Sequence, residues 1–214
     1  MAEAGTIQSL IAPRRYIQGR GVLASLGKHV AELGSQPLVI ADENVWKLAG
    51  ETLSASFKAA GLEFTREVFG GVCSHREIDR ITEVARKGKA DVVIGVGGGT
   101  TLDTAKAVGH QAGIAWVTAP TVASTDAPTS ALSVVYTDDG VFEEYVFFPH
   151  NPDLVVVDTE VAANAPYRFL VSGMGDALAT WVEARATAEA RKSTMAGGQP
   201  TWPGWPWPSS PGTP

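Results

Sequence analysis

The residues with the clearest chemical potential form a glycine-rich stretch, GVGGGTTLDTAK, near the middle of the chain. Gly95 and Gly97–Gly99 lie between an apolar run typical of a buried strand and a helical pattern expected to open at Thr100 or Thr101. Thr100 and Asp103 also resemble a capping box with Asp in place of Glu. Glycines let a backbone approach a phosphate closely, and first-turn helical amides attract negative charge. The stretch predicts an anion-binding loop, although a plain glycine turn would use the same residues.

Asp42 is the second candidate, because it ends the first strongly apolar strand, VIAD. A carboxylate in that position can accept hydrogen bonds from an adenosine ribose, or it can cap the helix expected to start near Val45. The sequence is equally compatible with both roles. The common dinucleotide fingerprint places its glycines first and its acidic residue about 20 residues later. Here the acid precedes the glycines by more than 50 residues, so that fingerprint is absent although its parts are present.

Short apolar runs alternate with helical patterns from PLVIAD to GIAWVTAP, which places these candidates on parallel βαβ units. After Pro120 the pattern changes to alternating apolar and polar residues around Asp139-Gly140, as expected for a β-hairpin. NPDLVVVDT supplies a last strand, and the sequence is helical from Ala165. We predict an α/β fold with a parallel-sheet domain at residues 1–164, the first helices of a helical domain at 165–196, and a Trp/Pro-rich tail at 197–214.

The composition favours a globular enzyme that handles small molecules. Of the 214 residues, 44% are hydrophobic and 19% are charged, which is ordinary for globular domains. The net charge of −6 comes without a cluster of Lys and Arg, which argues against nucleic-acid and anionic-membrane partners. The single cysteine, Cys73, excludes an intramolecular disulfide. Since the sequence shows neither a signal-peptide pattern nor a run of about 18 apolar residues, we expect a cytoplasmic protein.

Four stretches together resemble glycerol dehydrogenases of the metal-dependent, iron-containing type of alcohol dehydrogenase superfamily. They are IADENVWKLAG, GVGGGTTLDTAKAV, TAPTVASTDAPTSALSVVY and LVSGMGDALATWVEA. The resemblance covers residues from about 10 to 200. It implies that residues 1–164 form an NAD-binding α/β domain and that residues 165–196 begin an all-helical metal-binding domain. For full-length members it also implies a homo-oligomer.

The resemblance assigns roles to individual residues. Asp42 would hold the ribose of NAD, Asp126 would contact a polyol substrate, and Asp176 would be a metal ligand. The other implied cofactor-binding residues are Gly97, Gly98, Gly99, Thr100, Asp103, Thr121, Ser124, Ser130, Leu132 and Tyr136. From the residues alone, VASTDAPTS could instead be a surface connection and Asp176 could simply stabilise a helix start. The family commonly reads GGGK where this chain reads GGGT, which removes a positive charge near the phosphates.

The activity implied is hydride transfer from the secondary alcohol of glycerol to NAD, giving dihydroxyacetone, with a divalent metal, most simply zinc, polarising the alcohol. A catalytic zinc takes three protein ligands, and only Asp176 is available here. The family's metal-binding histidines come later in the helical domain, whereas all four histidines of this chain precede Asp176. We therefore expect the chain to be inactive. The alternatives are another vicinal-diol or hydroxyketone dehydrogenase, or a non-catalytic NAD-binding fragment.

The tail, TWPGWPWPSSPGTP, interrupts a helical pattern with residues that cannot continue it, because proline removes amides and clashes with preceding carbonyls. Each Trp-Pro pair is encoded by TGGCCN, and a frame shifted by one base reads Leu, Val or Met followed by Ala. The shifted frame can spell a helical Leu/Ala sequence, so we expect a frameshift near codon 201 that truncates the chain. The alternative is a genuine Trp/Pro segment that binds a proline-recognition domain in an extended conformation.

Overall fold

A computed structural model describes residues 11–189 of the chain. The strands are β1 (Tyr16–Gly19), β2 (Pro37–Ala41), β3 (Thr65–Val68), β4 (Val92–Gly97), β5 (Ala115–Pro120), β6 (Leu132–Tyr136), β7 (Phe142–Phe147) and β8 (Leu154–Asp158). The helices are α1 (Leu26–Val30), α2 (Glu43–Ala59), α3 (His75–Lys87), α4 (Gly99–Ala112), α5 (Thr159–Asn164) and α6 (Tyr167–Glu189), and a 3₁₀ turn covers Val22–Ser25. Six strands form one parallel sheet in the order β1-β8-β5-β4-β2-β3. The predicted α/β class with a parallel sheet is confirmed.

The central strands β2, β4 and β5 are buried along nearly their whole length, which explains their almost continuous apolar sequences. Because successive side chains of a strand point to opposite faces, each strand contributes to two hydrophobic clusters. On one face Val39 packs in a cluster with Phe57 of α2. On the other face Leu38 packs in a cluster with Ile81 of α3. The sheet is therefore covered by helices on both sides, which leaves the edges at the strand ends for a ligand.

Several element boundaries differ from the sequence-based expectations. The helix after the glycine loop begins at Gly99 rather than at Thr100 or Thr101, and α2 begins at Glu43 rather than near Val45. The sequence analysis also missed β1 and α5, which have only four and six residues. Such short elements contain too little periodicity to be recognised locally. Sheet pairing defines β1, which runs parallel to β8 at the edge of the sheet.

The predicted β-hairpin is confirmed. β6 and β7 pair antiparallel and form a separate two-stranded sheet. The connection includes the expected Asp139-Gly140 turn, where Gly140 has a φ of 81° in the left-handed region that favours glycine. A register shift between Val135 and Tyr136 marks a bulge. The hairpin contacts α4 through β6, so the helix that follows the glycine loop also supports this second sheet.

Residues 11–177 form one compact unit, and the described residues 178–189 belong to a second one. The boundary between these units lies within α6. The division into domains at residues 164 and 165 stays a prediction, and the Trp/Pro tail at residues 197–214 lies outside the described residues. None of the helices within residues 11–189 is long and apolar enough to cross a bilayer.

The single cysteine, Cys73, is buried and has a free thiol. Burial raises the pKa of the Cys73 thiol to about 12, so the thiolate is scarce at neutral pH. The backbone carbonyl of Cys73 accepts a hydrogen bond of 2.8 Å from the amide of Tyr136. The cysteine therefore packs in the core where the hairpin meets the sheet.

Candidate functional site

The three sequence features singled out above follow neighbouring strands at the carboxyl edge of the parallel sheet. Asp42 follows β2, the glycine loop follows β4, and the loop at residues 121–131 follows β5. The pairing of Gly97 with Pro120 brings the ends of β4 and β5 to the same level. Five of the strands lie side by side in the order β3-β2-β4-β5-β8. If they are numbered 1 to 5 along the chain from β2, this is the spatial order 2-1-3-4-5. In open α/β sheets of this kind ligands bind at the switch point, which here lies between β2 and β4.

Packing requires two glycines of the loop. A Cβ atom at Gly95 would lie 2.7 Å from the Cβ of Ala105, and one at Gly97 would lie 2.7 Å from the Thr101 hydroxyl. Gly97 also has a φ of 157°, which side chains rarely adopt. Because neither residue has a side chain, α4 packs closer to β4 than it could if either position carried a Cβ atom.

The next two glycines have more room. Gly98 has an ordinary extended backbone, with φ −83° and ψ −179°. A Cβ atom there would have the Cγ2 of Val122 as its nearest neighbour, at 3.7 Å. At Gly99 the nearest atom would be the Thr125 hydroxyl, at 3.3 Å. Neither conformation nor packing within the described chain requires a glycine at position 98.

The helix α4 starts without a side-chain cap. Gly98 is the N-cap residue and offers no side chain, and the amide of Leu102 makes the first intrahelical hydrogen bond, 3.1 Å to the Gly98 carbonyl. The expected capping box of Thr100 and Asp103 is therefore wrong. Thr100 is exposed within the helix, one residue past its first position. The start of α4 thus combines a helix dipole with first-turn amides that have no intrahelical partners.

Asp103 faces the interior instead of the helix start. It is 5% exposed, and its Oδ2 accepts a hydrogen bond of 3.1 Å from the amide of Val134 on β6. Its Oδ1 lies 2.8 Å from the ammonium of Lys106, which is fully buried. Burial raises the pKa of the Asp103 carboxyl, and the charge of Lys106 opposes that rise. The inward-directed carboxylate of Asp103 supports β6, and its predicted role at the cofactor stays a prediction.

Asp42 performs the capping role that the sequence left open. Its Oδ1 accepts hydrogen bonds from the amides of Asn44, at 2.7 Å, and Val45, at 2.8 Å. The side chain is half-buried at the carboxyl end of β2. Capping uses one oxygen of the carboxylate, so this geometry is compatible with a second role for the other oxygen at the ribose.

The loop at residues 121–131 is anchored at both ends. At its start, the buried Thr121 donates its amide to the carbonyl of Gly97, at 3.0 Å, which joins this loop to the glycine loop. Further along, the amide of Thr129 donates to the Asp126 carbonyl, at 3.0 Å, and closes a turn. Ser124 is half-buried and Asp126 is exposed. These contacts leave the Asp126 side chain at the surface above a fixed backbone.

The last residues of the predicted cofactor set, Ser130, Leu132 and Tyr136, lie where the loop passes into β6, and all three are half-buried. The hydroxyl of Ser130 accepts a hydrogen bond of 3.1 Å from Lys106. Burial raises the pKa of the Tyr136 phenol, with the nearby Asp103 carboxylate as the next cause. The structure thus places these residues on one continuous segment that α4 supports.

The start of α6 packs directly against this loop. The hydroxyl of Ser172 donates to the Ser124 carbonyl at 3.2 Å, and Oδ2 of Asp176 accepts from the amide of Asp126 at 3.0 Å. Between them lies Gly173, where a Cβ atom would lie 2.2 Å from the Ala123 carbonyl oxygen. The predicted metal ligand and the predicted polyol-binding residue are therefore neighbours, brought together by a glycine contact.

A complete metal site is not present among residues 11–189, since no group of three or more His, Cys, Asp and Glu side chains there could hold an ion. Two of the four histidines have other partners. His75 bonds Glu144 at 2.8 Å, and His150 stacks on Trp116 with ring centroids 4.0 Å apart. Asp176 is thus the one predicted ligand that the described chain brings to the site.

Two residues of this region were missed by the sequence analysis. Lys106 is a charged residue in a helical pattern, where an exposed position is expected. Gly173 looks like an ordinary small residue in GMGD. Every residue of α4 from Thr101 to Gly109 is buried in the structure, which the local pattern of polar and apolar residues does not indicate. The contact of Gly173 with another loop leaves no trace in the local sequence.

Comparison with known proteins agrees with this architecture. The family model described as iron-containing alcohol dehydrogenase matches residues 13–159. Glycerol dehydrogenase of Escherichia coli O6:H1 and glycolaldehyde reductase of Halobacterium salinarum are each 50% identical over 190 residues, which are 89% of this chain and 52% of each relative. A crystal structure of a probable glycerol dehydrogenase from Sinorhizobium meliloti has a TM-score of 0.82 at 44% identity and covers 89% of this chain and 52% of its own. The chain spans about half the length of these relatives.

Proposed function

Since the chain belongs to the iron-containing alcohol dehydrogenase family, we propose that its described residues form the NAD-binding side of a polyol dehydrogenase of the glycerol dehydrogenase type. The reaction is transfer of a hydride from the secondary alcohol carbon of glycerol to NAD, with release of a proton and formation of dihydroxyacetone. Relatives named glycerol dehydrogenase at about half identity support this substrate class. The lone, buried Cys73 also suits a cytoplasmic enzyme.

The glycine at position 98 is the observation that carries the nucleotide assignment. Its backbone conformation is open to any residue, and a Cβ atom would meet nothing closer than 3.7 Å. A ligand in contact with the backbone would explain why residue 98 is a glycine, because any side chain there would stand between them. The uncapped start of α4 directly follows, so a pyrophosphate there would receive hydrogen bonds from first-turn amides and favourable interaction with the helix dipole. Gly99 and Thr100 would complete this cradle.

The remaining predicted residues would hold the rest of the cofactor. Asp42 would bind the adenosine ribose with the carboxylate oxygen that does not cap α2. Thr121 and Ser124 would line the nucleotide along the loop after β5, followed by Ser130, Leu132 and Tyr136. When bound, NAD supplies the hydride acceptor, and the protein orients it. The chain's own contribution is to hold the nicotinamide end beside the surface that carries Asp126.

Asp126 and Asp176 would form the polyol side of the site. The exposed Asp126 carboxylate can accept hydrogen bonds from substrate hydroxyls, while its backbone amide is held by Asp176. Family membership implies a divalent metal ion, for which we propose zinc. Such an ion takes three protein ligands, and residues 11–189 offer no group of three. The described residues therefore account for the nucleotide side of the reaction and for one candidate ligand.

A second substrate class is supported by a specific finding. One relative that is 50% identical to this chain is named glycolaldehyde reductase. Glycolaldehyde carries a hydroxyl next to its carbonyl, as dihydroxyacetone does, so one polyol site could serve both compounds. A hydroxyaldehyde or hydroxyketone reductase is therefore the alternative.

The proposal is tested by titrating the 214-residue chain with NAD in a calorimeter and by following NADH formation from glycerol with added zinc at mildly alkaline pH. We expect saturable NAD binding without glycerol oxidation, because Asp176 alone does not make a catalytic metal site. Absence of NAD binding by the folded chain would refute the nucleotide assignment. Robust turnover would show that the ligand argument is wrong.

Replacing Asp42 separates its two roles. Asp42→Ser keeps a good N-cap, so the free energy of unfolding should change by less than about 0.5 kcal/mol, whereas Asp42→Ala should lower it by about 1 kcal/mol. Both variants lose the ribose acceptor and should bind NAD about tenfold more weakly. Both should also discriminate less against NADP, because the carboxylate no longer repels a 2′-phosphate. Urea denaturation and calorimetry measure the two effects, and unchanged NAD affinity in Asp42→Ser would limit Asp42 to capping.

A further inference from the structure

Lys106 is a fully buried cation in the middle of α4. Its ammonium lies 2.8 Å from Oδ1 of Asp103, donates 2.8 Å to the Ala127 carbonyl and 3.1 Å to the Ser130 hydroxyl, and also donates to the Leu132 carbonyl. An ammonium has three protons to donate, and these oxygen atoms more than satisfy them. The neighbouring helix positions Ala105 and Ala107 are buried and apolar. An aliphatic residue would therefore suit the helix core, and the charge needs another explanation.

The bonded oxygens show what the charge does. Only Asp103 belongs to α4, and the other acceptors belong to the segment from Ala127 to Leu132. That segment starts directly after Asp126, which the proposed function places at the polyol. It contains Ser130 and Leu132, which the proposed function places at the nucleotide. Burying a charge is unfavourable unless it is paired and hydrogen-bonded. Conversely, removing Lys106 would leave the Asp103 carboxylate without its paired charge and the carbonyls of Ala127, Ser130 and Leu132 without this buried donor.

One face of α4 serves both sides of the site. Gly99 and Lys106 are seven residues apart, which is about two helical turns, so they lie on the same face of the helix. A Cβ atom at Gly99 would lie 3.3 Å from the Thr125 hydroxyl and 3.6 Å from the Cβ of Ala127, so this face is the one directed at the loop after β5. The helix that presents its amides at Gly98 and Gly99 is thus also the helix that holds the loop.

We propose that Lys106 is a positioning residue, whose buried ammonium fixes residues 127–132 relative to the start of α4 and thereby sets the geometry in which NAD and the polyol are bound. Lys106 itself touches neither ligand. The effect on NAD rests on the proposed function, whereas the fixing of the loop does not. Both effects can therefore be measured separately in the full chain.

The experiment compares Lys106→Met with the double variant Asp103→Asn/Lys106→Met. The double variant relieves the unpaired buried carboxylate and leaves the loop carbonyls without their donor. Hydrogen exchange by mass spectrometry reports on peptides that cover residues 121–132 and, as an internal reference, β2. Calorimetry reports NAD affinity. Lys28→Met, at an exposed position of α1, is the control for loss of one positive charge.

In the double variant we expect exchange of the 121–132 amides to rise on the order of tenfold while exchange in β2 stays unchanged. NAD affinity should fall on the order of tenfold, because the loop residues proposed to line the nucleotide lose their fixed positions. Lys28→Met should match the parent chain in both measurements. Loop exchange and NAD affinity equal to those of the parent chain in the double variant would overturn the proposal, as would equal acceleration in β2 and the loop. If the parent chain does not bind NAD, the proposed function fails while the exchange measurement still decides whether Lys106 fixes the loop.

Discussion

Gly173→Ala is expected to lower the free energy of unfolding by about 1–3 kcal/mol, whereas Gly175→Ala, two residues further along the same helix, is expected to raise it by up to about 1 kcal/mol. Both substitutions improve helix propensity by the same amount. They differ in surroundings, because a Cβ atom at Gly173 would lie 2.2 Å from the Ala123 carbonyl oxygen and one at Gly175 would have no atom within 4 Å. The carbonyl is backbone and cannot rotate away as a side chain could.

The same clash should loosen the site. On either side of Gly173, Ser172 bonds the Ser124 carbonyl and Asp176 bonds the Asp126 amide, so moving α6 away from the loop weakens both contacts. We expect faster hydrogen exchange at the Asp126 amide in Gly173→Ala and unchanged exchange in Gly175→Ala. Denaturation in urea measures the stability difference, and exchange mass spectrometry measures the contact.

Opposite signs of the stability change for two chemically identical substitutions would be hard to obtain by any other route. If both variants become more stable by similar amounts, then α6 does not approach the loop as closely as the structure indicates. The proximity of Asp176 to Asp126 would then lose its support as well.

The features that could be predicted from the sequence are those encoded by local pattern. The buried strands β2, β4 and β5 have continuous apolar sequences, and the hairpin has an Asp-Gly turn at the centre of an alternating segment. The glycine loop was recognised for the same reason, because a strand, several glycines and a helix follow one another directly. Each of these signals lies within about a dozen residues and needs no knowledge of distant contacts.

The features that could not be predicted depend on distant partners. The pattern of Thr100 and Asp103 fits a capping box, yet the Asp103 carboxylate pairs with Lys106 and the Val134 amide, which is 31 residues away in the sequence. Gly173 is explained only by a contact with Ala123, 50 positions earlier. Asp42 shows an intermediate case, since both of its expected roles are local and the structure realises the capping role.

The glycine loop provides the second large effect, because its glycines serve different purposes. Gly98→Ala places a methyl group in open space, so the fold should tolerate it and the free energy of unfolding should fall by less than about 1 kcal/mol, the difference between Gly and Ala at an N-cap. The methyl group would nevertheless occupy the place where, in the proposed function, a pyrophosphate approaches the amides of α4. Loss of a hydrogen bond to a charged group costs about 1.5–3 kcal/mol, so NAD affinity should fall by roughly 10- to 150-fold.

Gly95→Ala is the matched control, since it adds the same methyl group three residues earlier at a position that faces α4 instead of the proposed pyrophosphate. Its Cβ would lie 2.7 Å from the Cβ of Ala105 and 3.2 Å from the Thr101 carbonyl, so we expect a loss of about 1–3 kcal/mol in the free energy of unfolding. At a temperature where both variants are folded, Gly95→Ala should retain more of the NAD affinity than Gly98→Ala. The two variants should thus separate stability from binding in urea denaturation and calorimetric titration. If Gly98→Ala binds NAD as tightly as the parent chain, then the start of α4 is not the pyrophosphate site, and an ordinary strand-to-helix turn would account for the glycine loop.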